Sequence, residues 1–136
     1  LGVSSSRDNT EFELFNYAQK QKLPILGICR GFQVIFSFMG GQVKEQEGTF
    51  VTTHKAARHE IYYNNNIQVV NSFHKNMAIY DSKPKGVRAV AFCSKDNSIE
   101  AFTSEKILAF QWHPEREKIF QDWDAKIISD FFNYEE

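Results

Sequence analysis

The sequence predicts an α/β fold built around a strand, a sharp turn and a helix, and three observations carry that prediction. Residues 23–41, LPILGICRGFQVIFSFMGG, pass from an apolar run through a glycine-flanked cysteine into a second apolar segment that stops at Gly40-Gly41. The run 23–28 is apolar on both faces, the pattern of a parallel strand covered by helices on two sides. The second half of the chain instead shows short strands separated by turns, then a final amphipathic helix.

Taken in order, residues 1–6 are small and polar after the start and read as a loop. A first helix is predicted from Asp8, because Asp8 with Glu11 three residues later is a capping-box pattern. Phe12, Phe15 and Ala18 share one face of it, and the polar run 19–22 ends it. Pro24 opens the next strand, where a missing N–H is tolerated. The second helix, 31–39, is almost wholly apolar and therefore deeply packed; Gln33 is its polar residue one turn after Cys29. That glutamine either faces the same mouth as Cys29 or hydrogen-bonds a neighbouring loop.

Residues 42–55 lack periodicity and read as a loop with a short strand. Residues 59–63 and 67–70 alternate around Asn64-Asn65-Asn66, which tolerate positive φ, and so form a hairpin. The second arm runs into the polar cluster Asn71-Ser72-Phe73-His74 at a strand end. A turn at 83–86 precedes strands at 87–93, 99–103 and 107–112. The last delivers His113-Pro114-Glu115. From Asp122 onward, Trp123, Ile127, Ile128, Phe131 and Phe132 mark the terminal helix. No repeat or low-complexity segment interrupts the chain.

With 136 residues, the chain is one domain with room for a core. Net charge is −1, so nothing points to nucleic acid or an anionic membrane as partner. No apolar run is long enough to span a bilayer, and no signal peptide is visible, so a cytoplasmic location is expected. The two cysteines, Cys29 and Cys93, make no disulfide framework. The four histidines do not stand at zinc-ligand spacing with them, so neither a metal nor another cofactor is expected. The first residue is Leu1, not Met, which is compatible with a processed chain or a fragment.

The chemistry starts at Cys29. In G-x-C-x-G the apex residue of a strand–turn–helix takes strained backbone angles, and Gly27 and Gly31, lacking Cβ, let strand and helix approach. A thiol at a helix N-terminus is favoured as thiolate by the dipole and the free N–H groups. Read by residue alone, Cys29 is either such a nucleophile or a small core cysteine, whereas Cys93, inside the meander, reads as core. A thiol nucleophile needs a base and the base an orienter. His113 and Glu115, two residues apart past a strand end with the stiff Pro114 between them, can fill both roles. Taken singly, each is also compatible with a solvated turn. His54 and His59 read as structural.

Three segments, GICRGFQ, VNSFHKN and AFQWHPE, resemble the signatures of class I glutamine amidotransferases. Arg30 after the cysteine, the VNS-x-H segment and RDNTEFEL before the elbow are most similar to the γ-glutamyl hydrolase, peptidase C26-like branch. The resemblance implies a flavodoxin-like or Rossmann-like sheet with flanking helices and added antiparallel strands, running over nearly the whole chain. It implies Cys29 as nucleophile, His113 as acid/base, Glu115 as its orienter and the Arg30 backbone N–H as an oxyanion donor. Gln33 matches a substrate contact, and Asn71 to His74 match a pocket-lining segment, with Ser72 and Phe73 as contacts and His74 either a contact or structural. The expected substrate is a γ-glutamyl amide, either glutamine or a γ-glutamyl-amine. A glutaminase module serving a synthase partner and a non-catalytic interaction module are the rival readings. The resemblance also implies N-terminal strands and a glycine loop supplying a second oxyanion donor. Only Leu1-Gly2-Val3-Ser4 stands there, so a partner chain or a missing N-terminal segment is expected to complete the sheet and the oxyanion hole.

Overall fold

The computed structural model describes residues 5–55 and 57–134. Its elements in chain order are α1 (Ser5–Lys20), β1 (Ile25–Ile28), α2 (Arg30–Phe38), β2 (Val43–Glu45), α3 (Thr49–His54), β3 (Ala57–Tyr63), β4 (Asn66–Ser72) and β5 (Asn76–Ala78). Then follow β6 (Arg88–Cys93), β7 (Ile99–Ser104), β8 (Ile107–Phe110) and α4 (Asp122–Tyr134), with short 3-10 turns at Tyr80–Ser82 and Pro114–Arg116.

Six strands form one mixed sheet in the order β1-β8-β7-β6-β3-β4, and β2 pairs with β5 in a small second sheet. Among the described residues only β1 and β8 run parallel; the other strand pairs are antiparallel. The fold is thus α/β, as the sequence predicts, with the antiparallel meander making up most of the sheet. Strand β8 is buried along its whole length. Ile107 and Ala109 join the core beneath α2, around Phe32, Phe36 and Phe102. Leu108 and Phe110 join the opposite core, covered by Trp123, Ile127, Ile128 and Phe131 of α4. This two-residue alternation sends neighbouring side chains into different layers. Burying each large apolar side chain contributes about 1.5–3 kcal/mol, so β8 and α2 are the firmest parts on which to mount a site.

Three expectations are corrected. The first helix begins at Ser5, so Asp8 lies inside it and does not cap it. Glu11 instead pairs with Arg7 one turn earlier, at 3.1 Å, and reaches Arg30 across the fold. The loop reading for residues 1–6 falls partly on residues 1–4, outside the described residues. Second, β1 is not covered on both sides. It lies at an end of the described sheet, with Leu26 36% exposed and the preceding Leu23 46% exposed. Third, 42–55 contains α3 as well as a strand; Gly48 with φ 68° and the short helix behind it carry no helical periodicity.

The hairpin is longer than its periodicity suggests. Asn64 and Asn65 both adopt positive φ, 46° and 69°, and make a two-residue turn closed by the Tyr63–Asn66 pair. Two successive positive φ values suit the right-handed twist of the arms, which is why an asparagine run sits there.

Candidate active site

The site grows from the parallel pair. Ile28 stands opposite Phe110, so β1 and β8 end side by side. The Cys29 N–H donates to the Phe110 carbonyl at 2.7 Å, which binds the elbow to the end of β8. Cys29 itself has φ 52° and ψ −99° and caps the start of α2. A non-glycine residue in that region is strained, and such strain persists only where the surroundings fix it. Part of the fixing is visible at Gly27. A Cβ there would sit 2.7 Å from Ile35 Cδ1 and 3.1 Å from the Gly31 carbonyl carbon, so strand and helix meet only because that residue is glycine. Gly31 is different: a Cβ would meet nothing within 4 Å, so the close approach expected of both glycines rests on Gly27 alone.

Cys29 is half-buried. Burial is the largest influence on its thiol and pushes it above the ordinary thiol range. The Arg116 charge, the Gln111 side chain and the Arg30 backbone N–H pull the other way, and Glu115 adds to the rise. In the free site desolvation thus outweighs the nearby donors, against the lowering expected of a helix N-terminus.

His113 follows β8 after Gln111 and Trp112. Its Nδ1 lies 2.6 Å from Glu115 Oε2 across the 3-10 turn that Pro114 starts. The ring is largely covered, 13% exposed, while Glu115 is 55% exposed. Among the described residues no hydrogen bond joins Cys29 Sγ to His113; Gln111 Nε2 donates to the sulfur at 3.8 Å. Catalytic hydrogen bonds are often long in a free site and tighten with substrate.

The remaining candidates divide by exposure. Phe73 is 40% exposed, its ring centroid 5.8 Å from that of His113, with the Arg116 guanidinium 4.7 Å above its face. Gln33, Ser72 and His74 are buried. Gln33 Nε2 points at Gln111 Oε1, 3.3 Å, and at the Asn76 carbonyl, 3.5 Å, so it meets a neighbouring loop as well as the floor beneath Cys29. Ser72 and His74 face the protein interior, Ser72 Oγ lying 3.5 Å from His54 Nδ1.

Four residues hold the site in roles that sequence reasoning did not assign to them. Asn71 clasps the His113 backbone, Nδ2 donating to its carbonyl at 2.7 Å and Oδ1 accepting from its N–H at 2.8 Å. Asn71 Nδ2 also donates to Glu117, which is gripped in turn by both ends of the Arg58 guanidinium at 2.9 Å. Gln111 links Gln33 to the elbow. Glu11 accepts from Arg30 Nε and Nη2 at 3.2 and 3.1 Å, tying α1 to the residue after the cysteine. Asn71 and Gln111 sit inside motif segments, so that signal existed; Glu11 and Glu117 act through tertiary contacts that no local pattern encodes. A broad concavity lies elsewhere, between α4 and the hairpin side of the sheet, and none of the candidate residues lines it.

A family model described as Peptidase C26 matches residues 2–115. The chain belongs to the Peptidase C26 family. It is 33% identical over 134 residues to gamma-glutamyl-CDP-amidate hydrolase of Campylobacter jejuni, covering 92% of this chain and 62% of that protein. It is 34% identical over 102 residues to anthranilate synthase component 2 of Helicobacter pylori, covering 71% of this chain and 50% of that one. Among solved structures, a glutamine amidotransferase from Thermotoga maritima superposes with a TM-score of 0.71 at 18% identity, over 98% of this chain and 60% of its own. A glutamine amido transferase from Methylobacillus flagellatus gives 0.65 at 16%, over 93% and 49%. The Peptidase C26 chain thus shares the fold of glutamine amidotransferases and spans 50–62% of the length of these two sequence relatives. No helix among its described residues is long and apolar enough to cross a membrane.

Proposed function

We propose that this chain carries the catalytic core of a cysteine-dependent γ-glutamyl amide hydrolase. The observation that carries the reading is the strained elbow at Cys29, held against the end of the strand that presents the His113–Glu115 pair. Cys29 Sγ, deprotonated as His113 takes its proton, attacks the γ-carbonyl of a γ-glutamyl amide. The oxyanion is met by the Arg30 N–H, the first of α2 beyond the nucleophile. His113, held by Glu115, then protonates the departing ammonia or amine, leaving a γ-glutamyl thioester. Water activated by His113 hydrolyses the thioester and releases glutamate.

Phe73 and Arg116 border the approach to His113 and are the exposed groups able to touch substrate there. The uncovered side of β1, with Leu23 and Leu26 exposed, supports a further proposal: additional chain, from the same protein or a partner, completes the sheet and supplies the second oxyanion donor. A second reading, a glutaminase unit delivering ammonia to a synthase, is favoured by the likeness to anthranilate synthase component 2. The hydrolase reading rests on the wider match, 92% of the chain against 71%.

The test is hydrolysis of glutamine and of γ-glutamyl anilides by the intact gene product and by Cys29→Ala. Turnover of γ-glutamyl amines that vanishes in the variant supports the hydrolase. Activity on glutamine alone, stimulated by a synthase, selects the second reading, and equal activity of wild type and variant removes Cys29 from the mechanism.

A further inference from the structure

The proposed chemistry uses one of the four histidines. The other three converge on one buried carboxylate. His54 ends α3, His59 lies on β3, His74 lies between β4 and β5, and Glu100 lies on β7; all are 5% exposed or less. His54 Nδ1 stands 3.4 Å and His74 Nε2 3.8 Å from Glu100 Oε2, and His59 Nε2 stands 3.6 Å from Oε1. These separations are too long for strong hydrogen bonds. His59 Nε2, His74 Nε2 and both Glu100 oxygens have no hydrogen-bond partner at all, although buried polar atoms are rarely left so.

The opposite ring nitrogens explain the convergence. His74 Nδ1 lies 2.8 Å from the Asn76 carbonyl, and His59 Nδ1 lies 3.2 Å from the Glu60 carbonyl. A carbonyl only accepts, so each Nδ1 carries the hydrogen and each neutral ring turns a bare Nε2 lone pair inward. His54 Nε2 lies 2.6 Å from Asp96 Oδ2, whose carboxylate is held by the Ser98 N–H and hydroxyl. In its neutral form His54 therefore also turns a lone pair, on Nδ1, toward Glu100; apart from Glu100 the nearest polar group to it is the Ser72 hydroxyl at 3.5 Å. Three ring lone pairs face the Glu100 carboxyl with no ring N–H turned toward it. Metal-ligating histidines show the same arrangement, the far ring N–H given to a carbonyl or carboxylate.

We propose that this cluster is a binding site for a divalent transition-metal cation of the zinc class, with His54 Nδ1, His74 Nε2 and the Glu100 carboxylate as ligands. Ligand atoms bound tetrahedrally at about 2.0–2.1 Å lie about 3.3–3.4 Å apart, so separations of 3.4 and 3.8 Å need only small side-chain adjustments. His59 Nε2, beside the other carboxylate oxygen, completes the shell or accepts a hydrogen bond within it. The charges also balance: the cation's +2 is met by Glu100 as ligand and Asp96 behind His54. Burial holds His59 and His74 neutral, the state a metal requires, and raises Glu100 well above the carboxylate range, so metal entry displaces its proton. A second set, His54, His59 and Cys93, has ligand atoms within 4.8 Å of one another, but burial pushes the Cys93 thiol up to about 11. The histidine–carboxylate set is therefore the stronger. Residues 54, 59, 74 and 100 have no zinc-motif spacing, which is why the sequence gives no sign of the site. A cation there would join α3, β7 and the β4–β5 connection, through the residue that follows Phe73.

The chain, stripped with a chelator, is titrated with Zn²⁺ by calorimetry, both folded and after refolding from urea with the ion present. Crystals grown with Zn²⁺ are measured at the zinc absorption edge. One equivalent is expected, with an anomalous peak between His54, His74 and Glu100. Binding should survive Cys29→Ser and should weaken by at least about tenfold in Glu100→Gln and His74→Gln. If those variants do not fold, the anomalous peak of the wild-type chain decides. No stoichiometric binding, a peak only elsewhere, or unchanged affinity in folded Glu100→Gln overturns the proposal and leaves a proton as the occupant of the cluster.

Discussion

Asn71 holds His113 by its backbone, donating to the carbonyl at 2.7 Å and accepting from the N–H at 2.8 Å through the two ends of one amide. The histidine that would serve as acid and base is thus placed by a residue on β4, a strand at the far edge of the sheet from Cys29. Asn71→Ala should lower kcat/KM for γ-glutamyl amides by up to roughly thirtyfold, since two neutral hydrogen bonds to His113 at about 1 kcal/mol each are lost. Steady-state kinetics with a parallel denaturation curve separates this from unfolding. An unchanged kcat/KM would show that Pro114 and Glu115 alone suffice.

The two elbow glycines should respond oppositely to alanine. Gly27→Ala drives a Cβ against Ile35 and the Gly31 backbone and should cost about 1–3 kcal/mol of stability. Gly31→Ala places its Cβ in open space inside α2 and should be neutral or stabilising by up to about 1 kcal/mol. Urea denaturation of the two variants measures the contrast. Equal losses would mean that the helix start, not the close approach, is what glycine serves.

How far the sequence reveals this molecule depends on whether a feature is local. The elbow, the Asn64-Asn65 turn, the β6–β8 meander and α4 are written in adjacent residues, and all appear in the fold. Helix α3 carries six residues and no periodicity, so only tertiary contacts define it. At the site, Cys29, His113 and Glu115 are legible because motif spacing encodes them. The inward turn of Ser72 and His74 is not, since alternation along β4 fixes sides but not which layer has room. The balance of forces on the Cys29 thiol was likewise out of reach, because burial is a property of the finished fold.

That balance gives a prediction with opposite signs at neighbouring residues. Arg116 is the largest influence lowering the Cys29 thiol and Glu115 raises it. Arg116→Gln should move the pH profile of Cys29 alkylation to higher pH and Glu115→Gln to lower pH, even while Glu115→Gln reduces turnover. Iodoacetamide labelling rates across pH measure both. Shifts in the same direction would contradict the electrostatic picture.

Asp124 predicts a pH dependence of stability. It is buried beneath Trp112, accepts from Nε1 at 3.0 Å, and is raised by burial to about 6. Its folded value lies above its unfolded value of 3.8, so between those limits the native state binds more protons. Its contribution therefore favours folding at low pH and is lost as pH rises from about 4 through about 6. Asp124→Asn keeps an acceptor for Trp112 and should flatten the stability profile over that window relative to wild type. Urea midpoints at several pH values provide the comparison, and parallel profiles would rule out Asp124 as the titrating group.

The covalent step is the most direct point of attack. The intact gene product is mixed with a γ-glutamyl anilide, quenched in acid within the first turnovers, digested and mapped by mass spectrometry. A γ-glutamyl adduct is expected on the peptide bearing Cys29, absent from Cys29→Ala and accumulating further in a variant slow to deacylate. An adduct on Cys93, or steady turnover with no adduct on Cys29 and none lost in Cys29→Ala, would contradict the mechanism.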